Sequence, residues 1–588
     1  MTGGGEQPRP QPRGRKSWAV LARVALAETP RRRADLAAEL FGETDDPLGA
    51  LRWTLADVRR SLGRSDLFRG DPIELHRNEF QLDVWDLDAG TLEAGEIGGE
   101  LLDGVDVRDC PEFDMWLMLA RMHCAQRSRD ELRNQALRLL AFGDTTAAVP
   151  IAERVASLEP MDESAQELFL RALVAAGRTG VAKAHLAACE GMFASAGLRV
   201  SPAMRSAAEE QVRRSLTGRR AGAVAESLLR AGTTALDAGA ADAGVETLRH
   251  AEDDAARSDD PGLRATVQLA LGSALVHAVR GSDGEGAIVL HRALLAARAA
   301  GRLDLVAEAL RELAYVDVQA GRHGSAALSL SEAEDVAETI GDDGVVAAVL
   351  AIHGMNEADC GRHLSAIELL SSSAEKAAAT GRSRQHAWSL GLLSRSLLLA
   401  GRTHDAEVAS AASLLGAQEQ RWTAFQPFPQ AMHAECLFVA GRYEDARNEA
   451  ELAFALGCEV GDPCWEGVAA RTLGLLAEHA GDDDAAWEWF LDARRRCDRV
   501  SDRYVWISAY IGAAQLELAA RVDPALVRSL AAKLQDDAIR TDLPEFLSWS
   551  LVHQIDPDDP RTLAAARATS RSVDNPALHA RIAAVSGL

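Results

Sequence analysis

The sequence predicts a mainly helical protein, with a small α+β module at its N-terminus followed by a long α-solenoid. Three patterns carry that expectation. Apolar residues at spacings of three and four between Leu48 and Leu62 give way to two-residue alternation between Ile73 and Val84. Glycines then recur every 40 residues from Gly281 to Gly481. Alanine is abundant while aromatic residues make up only 5% of the chain, a balance that suits closely packed helices. At 588 residues the chain is too long for a single core and should form several domains.

The first expected helix runs from a Ser17 cap to about Leu26, with Val20, Leu21 and Val24 on one face. Thr29-Pro30 breaks it, and a second helix, Arg33–Leu40, closes at Gly42. Asp45 or Asp46 caps a third helix with Pro47 in its first turn. There Leu48, Leu51, Leu55, Val58 and Leu62 form one stripe, which sets Trp53, Asp57 and Arg60 on the opposite face, with Arg52 and Arg59 flanking and Arg64 just beyond. Ile73 and Leu75, then Phe80, Leu82 and Val84, read as a hairpin turning at Arg77-Asn78-Glu79. Three helices and a hairpin in this order match a winged helix, which usually sets its third helix in the major groove.

The stretches Ala34–Gly42 (ADLAAELFG), Asp45–Gly63 (DDPLGALRWTLADVRRSLG) and Leu82-Asp83-Val84-Trp85 resemble the DNA-binding domain of actinobacterial transcriptional regulators of the antibiotic-regulatory-protein (SARP) type. The resemblance covers residues 16–87 and implies that the third helix reads DNA through Arg52, Trp53, Arg59 and Arg60. Arg64, Arg77 in the wing, and Arg13, Arg15 and Lys16 in the N-terminal arm would then grip phosphates. Two departures stand out: no strands precede Ser17, and Asp57 sits on the outward face.

Residues 96–215 read as helical. Gly143 and Gly177 lie 34 residues apart, each followed five residues later by an alanine, which suggests helix-turn-helix repeats. Leu173–Gly180 (LVAAGRTG) and Leu198–Pro202 (LRVSP) resemble the bacterial transcriptional activator domain that follows the winged helix in the same family.

From 222 to 522 a longer period takes over. Gly239, Gly281, Gly321, Gly361, Gly401, Gly441 and Gly481 are each followed five residues on by Gly or Ala, from Gly244 and Gly286 to Ala486. A second glycine recurs half a period later, at 301, 341, 381 and 461. Two turns per period imply seven helix pairs. Gly441–Ala446 (GRYEDA) is close to the turn motif of tetratricopeptide repeats, here in a lengthened form. Residues 523–588, punctuated by proline, are expected to be a degenerate helical cap. Trp388, Trp422, Trp465 and Trp506 lie early in successive first helices, and Phe425 and Phe428 interrupt one of them. Such aromatics fill gaps in an alanine-rich core, or line a groove for a protein or small-molecule effector.

Charge divides the chain. Residues 1–90 are near neutral at −1, and the remainder holds −24 of the total −25. Arg9 to Arg33 contains eight basic residues against the single acid Glu28, so any contact with DNA belongs to this end. Residues 1–15 are expected to be a disordered basic tail rather than a signal peptide, and no apolar run approaches the roughly 20 residues that cross a bilayer. A cytoplasmic protein is expected. Four lysines occur, none after a glycine, so a phosphate loop of the GxxxxGK[ST] form is absent. The eight cysteines fit no zinc pattern, no catalytic motif appears, and neither an enzyme nor a cofactor or metal is expected. Two readings follow. One is a DNA-binding transcriptional regulator that contacts double-stranded DNA, with a middle domain for self-association or RNA polymerase contact and a repeat region that binds a partner or effector. The alternative is a helical-repeat interaction scaffold whose winged helix no longer binds DNA; the missing strands and Asp57 point that way.

Overall fold

The computed structural model describes residues 12, 14–27, 30–75, 82–105, 107, 110–208, 220–237, 239–500, 502–556 and 559–586. Arg13, Arg77 and the expected turn at 77–79 lie outside them. Two compact units are present, residues 1–128 with 556–565, and residues 129–555 with 566–588.

In the first unit, α1 (Arg15–Ala25), α2 (Arg33–Phe41) and α3 (Pro47–Ser61) enclose a core of Val20, Leu36, Leu40, Leu51, Leu55, Val58, Leu67 and Ile73. Asp46 caps α3 by accepting from the Gly49 N–H at 2.8 Å. The helix α1 begins two residues before its expected cap. Ser17 is buried within it and donates from Oγ to Asp57 Oδ2 at 2.9 Å, joining α1 to α3. The buried stripe of α3 is also rotated from the expected one: Thr54 joins it, Leu62 is half-buried, and Leu48 is 47% exposed. Asp57 therefore turns toward α1 instead of outward.

The hairpin is shifted toward the N-terminus. The strands β1 (Phe68–Arg69) and β2 (Glu74–Leu75) pair antiparallel across Gly70-Asp71-Pro72, and Ile73 bridges to Arg31. Asp83-Val84-Trp85, expected as strand, opens α4 (Asp83–Asp88). Acids in its first turn suit the helix dipole, and Trp85 Nε1 donates to Ala25 O at 3.2 Å.

Next come α5 (Pro111–Phe142), α6 (Thr145–Leu158), α7 (Glu163–Ala175), α8 (Thr179–Ser195) and α9 (Pro202–Ala207). The array then runs as antiparallel pairs. These are α10 (Arg220–Asp237) with α11 (Ala241–Ala255), α12 (Pro261–His277) with α13 (Asp283–Ala300), and α14 (Leu303–Gln319) with α15 (His323–Ile340). They continue as α16 (Asp343–Asp359) with α17 (His363–Ala379), α18 (Ser383–Leu399) with α19 (Thr403–Glu419), and α20 (Pro427–Val439) with α21 (Tyr443–Val460). After α22 (Pro463–His479) with α23 (Asp483–Cys497), an eighth pair follows, α24 (Val505–Val522) with α25 (Pro524–Arg540). Asp523, read from sequence as the start of a degenerate cap, closes α24 and caps α25 through the Ala525 N–H. The helices α26 (Pro544–Val552), α27 (Pro560–Thr569) and α28 (Pro576–Ser586) complete the chain.

The periodic residues have a steric basis. All seven turn glycines hold φ between 75° and 85°, a region open to glycine at little cost. The small residue five positions later is buried, and a Cβ added at Gly286 would meet Val276 at 2.9 Å. A second small position, seven residues before the turn, is occupied by Ala274, Ala314, Gly354, Ser394, Ala434 and Gly474. A Cβ on Gly354 would meet Leu370 at 2.5 Å, so the two helices of that pair approach too closely for a side chain there. The half-period series breaks once: Arg421 stands where glycine is due and takes φ 50°. Replacing Arg421 with glycine should relieve left-handed strain and stabilise the protein by up to about 1 kcal/mol. Chemical denaturation checks this, and an unchanged or lowered midpoint would count against it.

Candidate functional site

The first helices of the pairs form the inner wall of the array. Along it runs a ladder of rings. His277 packs on Tyr315 with centroids 4.8 Å apart, Tyr315 on Trp388 at 6.2 Å, and Trp388 on Phe425 at 5.1 Å. Phe425 then meets Phe428 at 5.9 Å, and Phe428 meets Trp465 at 4.7 Å. Trp422 stacks on Phe425 at 4.5 Å, with the Arg384 guanidinium 5.8 Å from its ring centroid. Five of the six aromatics singled out from sequence thus meet in one cluster. Phe425, Phe428 and Trp465 are buried, whereas Trp388 and Trp422 remain half-buried beside exposed Arg384. Trp506 belongs elsewhere, packed with Tyr510 and Phe546 and lying under the Arg395 guanidinium at 4.3 Å.

Sequence patterns did not reveal a set of buried ionic groups on the same wall. Asp359 on α16, Arg395 on α18 and Tyr504 before α24 form a closed triad. Arg395 donates to Asp359 at 2.7 Å and to the Tyr504 hydroxyl at 2.5 Å, and that hydroxyl donates to Asp359 at 2.7 Å. Burial pushes the Asp359 carboxyl above its ordinary value, against the pull of Arg395. A second triad repeats the pattern two helix pairs on: Arg471 donates to Glu435 at 2.8 Å, Tyr510 donates to Glu435, and the guanidinium lies 3.5 Å from the Tyr510 ring centroid. The available signal was an arginine at an apolar-facing position, as Arg395 is between Leu392 and Leu398.

Further contacts join distant repeats. Arg280, at the end of the second pair's first helix, pairs with Asp462, which also caps α22 through the Cys464 and Trp465 N–H groups. Asp502 accepts from the Gly281 N–H at 2.5 Å and the Ser282 N–H at 3.1 Å. His363 meets Glu545 at 2.8 Å, both fully buried, and Asn575 donates to the same carboxylate at 2.6 Å. The Asp574 N–H donates to Gly361 O at 2.8 Å, and its carboxylate accepts from the Leu364 N–H. Segments 180 to 220 residues apart therefore lie side by side, and the array curls until its late helices touch the turns of its early ones.

On the first unit, α3 presents Gly49, Arg52, Trp53, Ala56 and Arg60 on the face opposite its buried stripe. Trp53 is 66% exposed; Arg52 is exposed, 3.7 Å from Asp46, and Arg60 is exposed. Arg59 lies elsewhere than expected. It donates to Phe68 O at 2.5 Å and leans on the Phe68 ring, fixing α3 to β1. Arg64 pairs with Asp66 at 3.3 Å, Lys16 donates to Leu40 O at 2.7 Å, and Arg15 is exposed at the start of α1.

The helix pairs define a tetratricopeptide-like repeat protein. No family model matches the chain, and no curated protein does. Solved structures that align with the chain include a Rap protein complexed with Competence and Sporulation Factor, at 13% identity and TM-score 0.44 over 61% of this chain and 99% of that one. The anaphase-promoting-complex hetero-tetramer Cut9–Hcn1 aligns at 13% identity and TM-score 0.31, covering 75% of this chain and 96% of that one. A signal-transduction ATPase with a tetratricopeptide sensor from Pyrococcus horikoshii aligns at 9% and 0.35, covering 90% and 64%. Likenesses this distant say nothing about activity. Among the described residues, no helix is long and apolar enough to cross a membrane.

The first triad can be tested directly. Tyr504→Phe leaves buried Asp359 and Arg395 each short of one partner and should cost about 1–3 kcal/mol of unfolding free energy. A variant as stable as the parent would show that the hydroxyl contributes nothing to holding α16 and α18 against α24.

Proposed function

We propose that this chain is an interaction scaffold whose helical-repeat unit holds a peptide segment of a protein partner against the aromatic inner wall. The observation that carries this reading is the half-buried pair Trp388 and Trp422, set beside the exposed guanidinium of Arg384 on a wall where Phe425, Phe428 and Trp465 are buried. Large rings with an arginine alongside are the residue types that dominate binding energy at interfaces. No catalytic role is assigned to any group on this wall. The test is selection from a displayed random-peptide library against the full chain. Enriched peptides should lose about tenfold or more in affinity, roughly 1.4 kcal/mol, when Trp422 is changed to alanine. Peptides indifferent to both Trp388→Ala and Trp422→Ala would overturn the assignment.

A second reading has its own support in the first unit. Gly49, Arg52, Trp53, Ala56 and Arg60 share one outward face of α3 within a helix–helix–helix–hairpin order, and the first 90 residues escape the acidity of the remainder. In that reading the module is a winged helix that contacts double-stranded DNA, the chain is a cytoplasmic transcriptional regulator, and its helical middle segment meets RNA polymerase or a second copy. Arg60→Ala should then weaken retention of duplex DNA, with binding falling steeply as salt rises. A gel shift that detects no complex at low salt, where phosphate contacts are strongest, would leave the scaffold reading alone.

A further inference from the structure

The curled array closes on itself in a way unlike its other contacts. Neighbouring helices pack along their lengths, as α12 does on α13 and α16 on α17. Where the late repeats meet the early ones, extended packing of that kind is missing among the described residues. There the joint is made by polar groups at helix ends: Arg280 on Asp462, Asp502 on the Gly281 and Ser282 N–H groups, and Asp574 on the Leu364 N–H. His363 on Glu545, and the Tyr504 hydroxyl on Asp359 and Arg395, add buried polar contacts between late and early elements. Apolar contacts there are local: Val573 lies over Gly361, where a Cβ would stand 3.2 Å from it, Pro576 lies over Gly401, and Thr541 lies over Gly321.

Polar joints and helix-packed joints respond differently to perturbation. A buried ion pair contributes little net stability, because desolvation offsets its attraction, yet removing one partner leaves a charge unpaired and destabilises strongly. Packing between successive helices depends on apolar area and survives the loss of a single charge. A solenoid whose neighbours are joined by area and whose ends are joined by charge has one weak joint. In a nearest-neighbour architecture, breaking that joint need not unfold any repeat.

We propose that this seam is a latch: the repeat unit opens there as a whole, with each helix pair intact, and opening exposes the inner aromatic wall. Of the elements at the joint, Arg280 and Asp502 hold the two sides nearest that wall, since Asp462, the partner of Arg280, caps the helix that carries Trp465. The latch deepens the scaffold reading and rests on it, because it would govern when the wall's buried rings, Phe425, Phe428 and Trp465, can be reached. Its test needs no ligand, so a failed peptide selection and a failed latch remain distinguishable.

The experiment compares the full-length parent with Arg280→Ala, Asp502→Asn and the double variant. Hydrogen exchange should quicken about tenfold or more at residues 281–282 and 504–510, while amides inside α14 to α21 keep their protection. The radius of gyration should rise, and acrylamide should quench more tryptophan fluorescence, since Trp465 and Trp506 are buried in the closed form. Arg280→Lys, which keeps the charge, should lie nearer the parent and separates latch opening from misfolding. Unchanged dimensions in the double variant, or exchange that quickens evenly over every repeat, would overturn the proposal.

Discussion

Close approach between paired helices is the constraint on which the rest of the structure depends. It is set by two small positions in each period, one five residues after the turn glycine and one seven residues before it. At Gly354 and Gly474 there is no room even for a methyl group, because Leu370 and Phe490 occupy the space. A single spacing repeated through successive pairs turns a local steric rule into steady curvature. That curvature brings Asp502 to Gly281, Asp574 to Gly361, and Tyr504 to Asp359 and Arg395.

Those groups explain what the curled form adds. The Asp359–Arg395–Tyr504 and Glu435–Arg471–Tyr510 sets each pair a carboxylate with one guanidinium and one phenol drawn from three different elements. Apolar side chains would fill the same volume with less desolvation, so stability alone does not account for them. Directional bonds between α16, α18 and the start of α24 accept one arrangement of those helices and reject neighbouring ones. The rings nearby divide the same way: Trp506 serves the ionic interior, while Trp388 and Trp422 keep accessible faces.

What was legible in the sequence was local. A turn glycine reports its own φ, and a small residue reports its nearest helix, so the 40-residue period gave the pairs and their boundaries. Arg421 is visible in the same way, as a gap in the half-period glycines. Two errors came from packing decided elsewhere. The stripe of α3 rotated because Thr54 found a place in the core and Leu48 did not, which took Asp57 to Ser17 and left Arg52 and Trp53 as the outward face. The hairpin moved because Asp83-Val84-Trp85 also fits the start of a short helix with acids in its first turn. The joint between Arg280 and Asp462 was not legible at all. Its partners stand 182 residues apart, and nothing near either residue names the other.

The central claim is that small-residue spacing curls the repeats until early turns meet late ones. Pulsed electron-resonance distances between spin labels beside the 281–282 turn and beside Asp502, in a background lacking the exposed Cys458, test it most directly. The account predicts one short, narrow distance for the full-length protein, lengthening when Gly354 and Gly474 are both replaced by leucine. A broad, long distribution in the parent would contradict it.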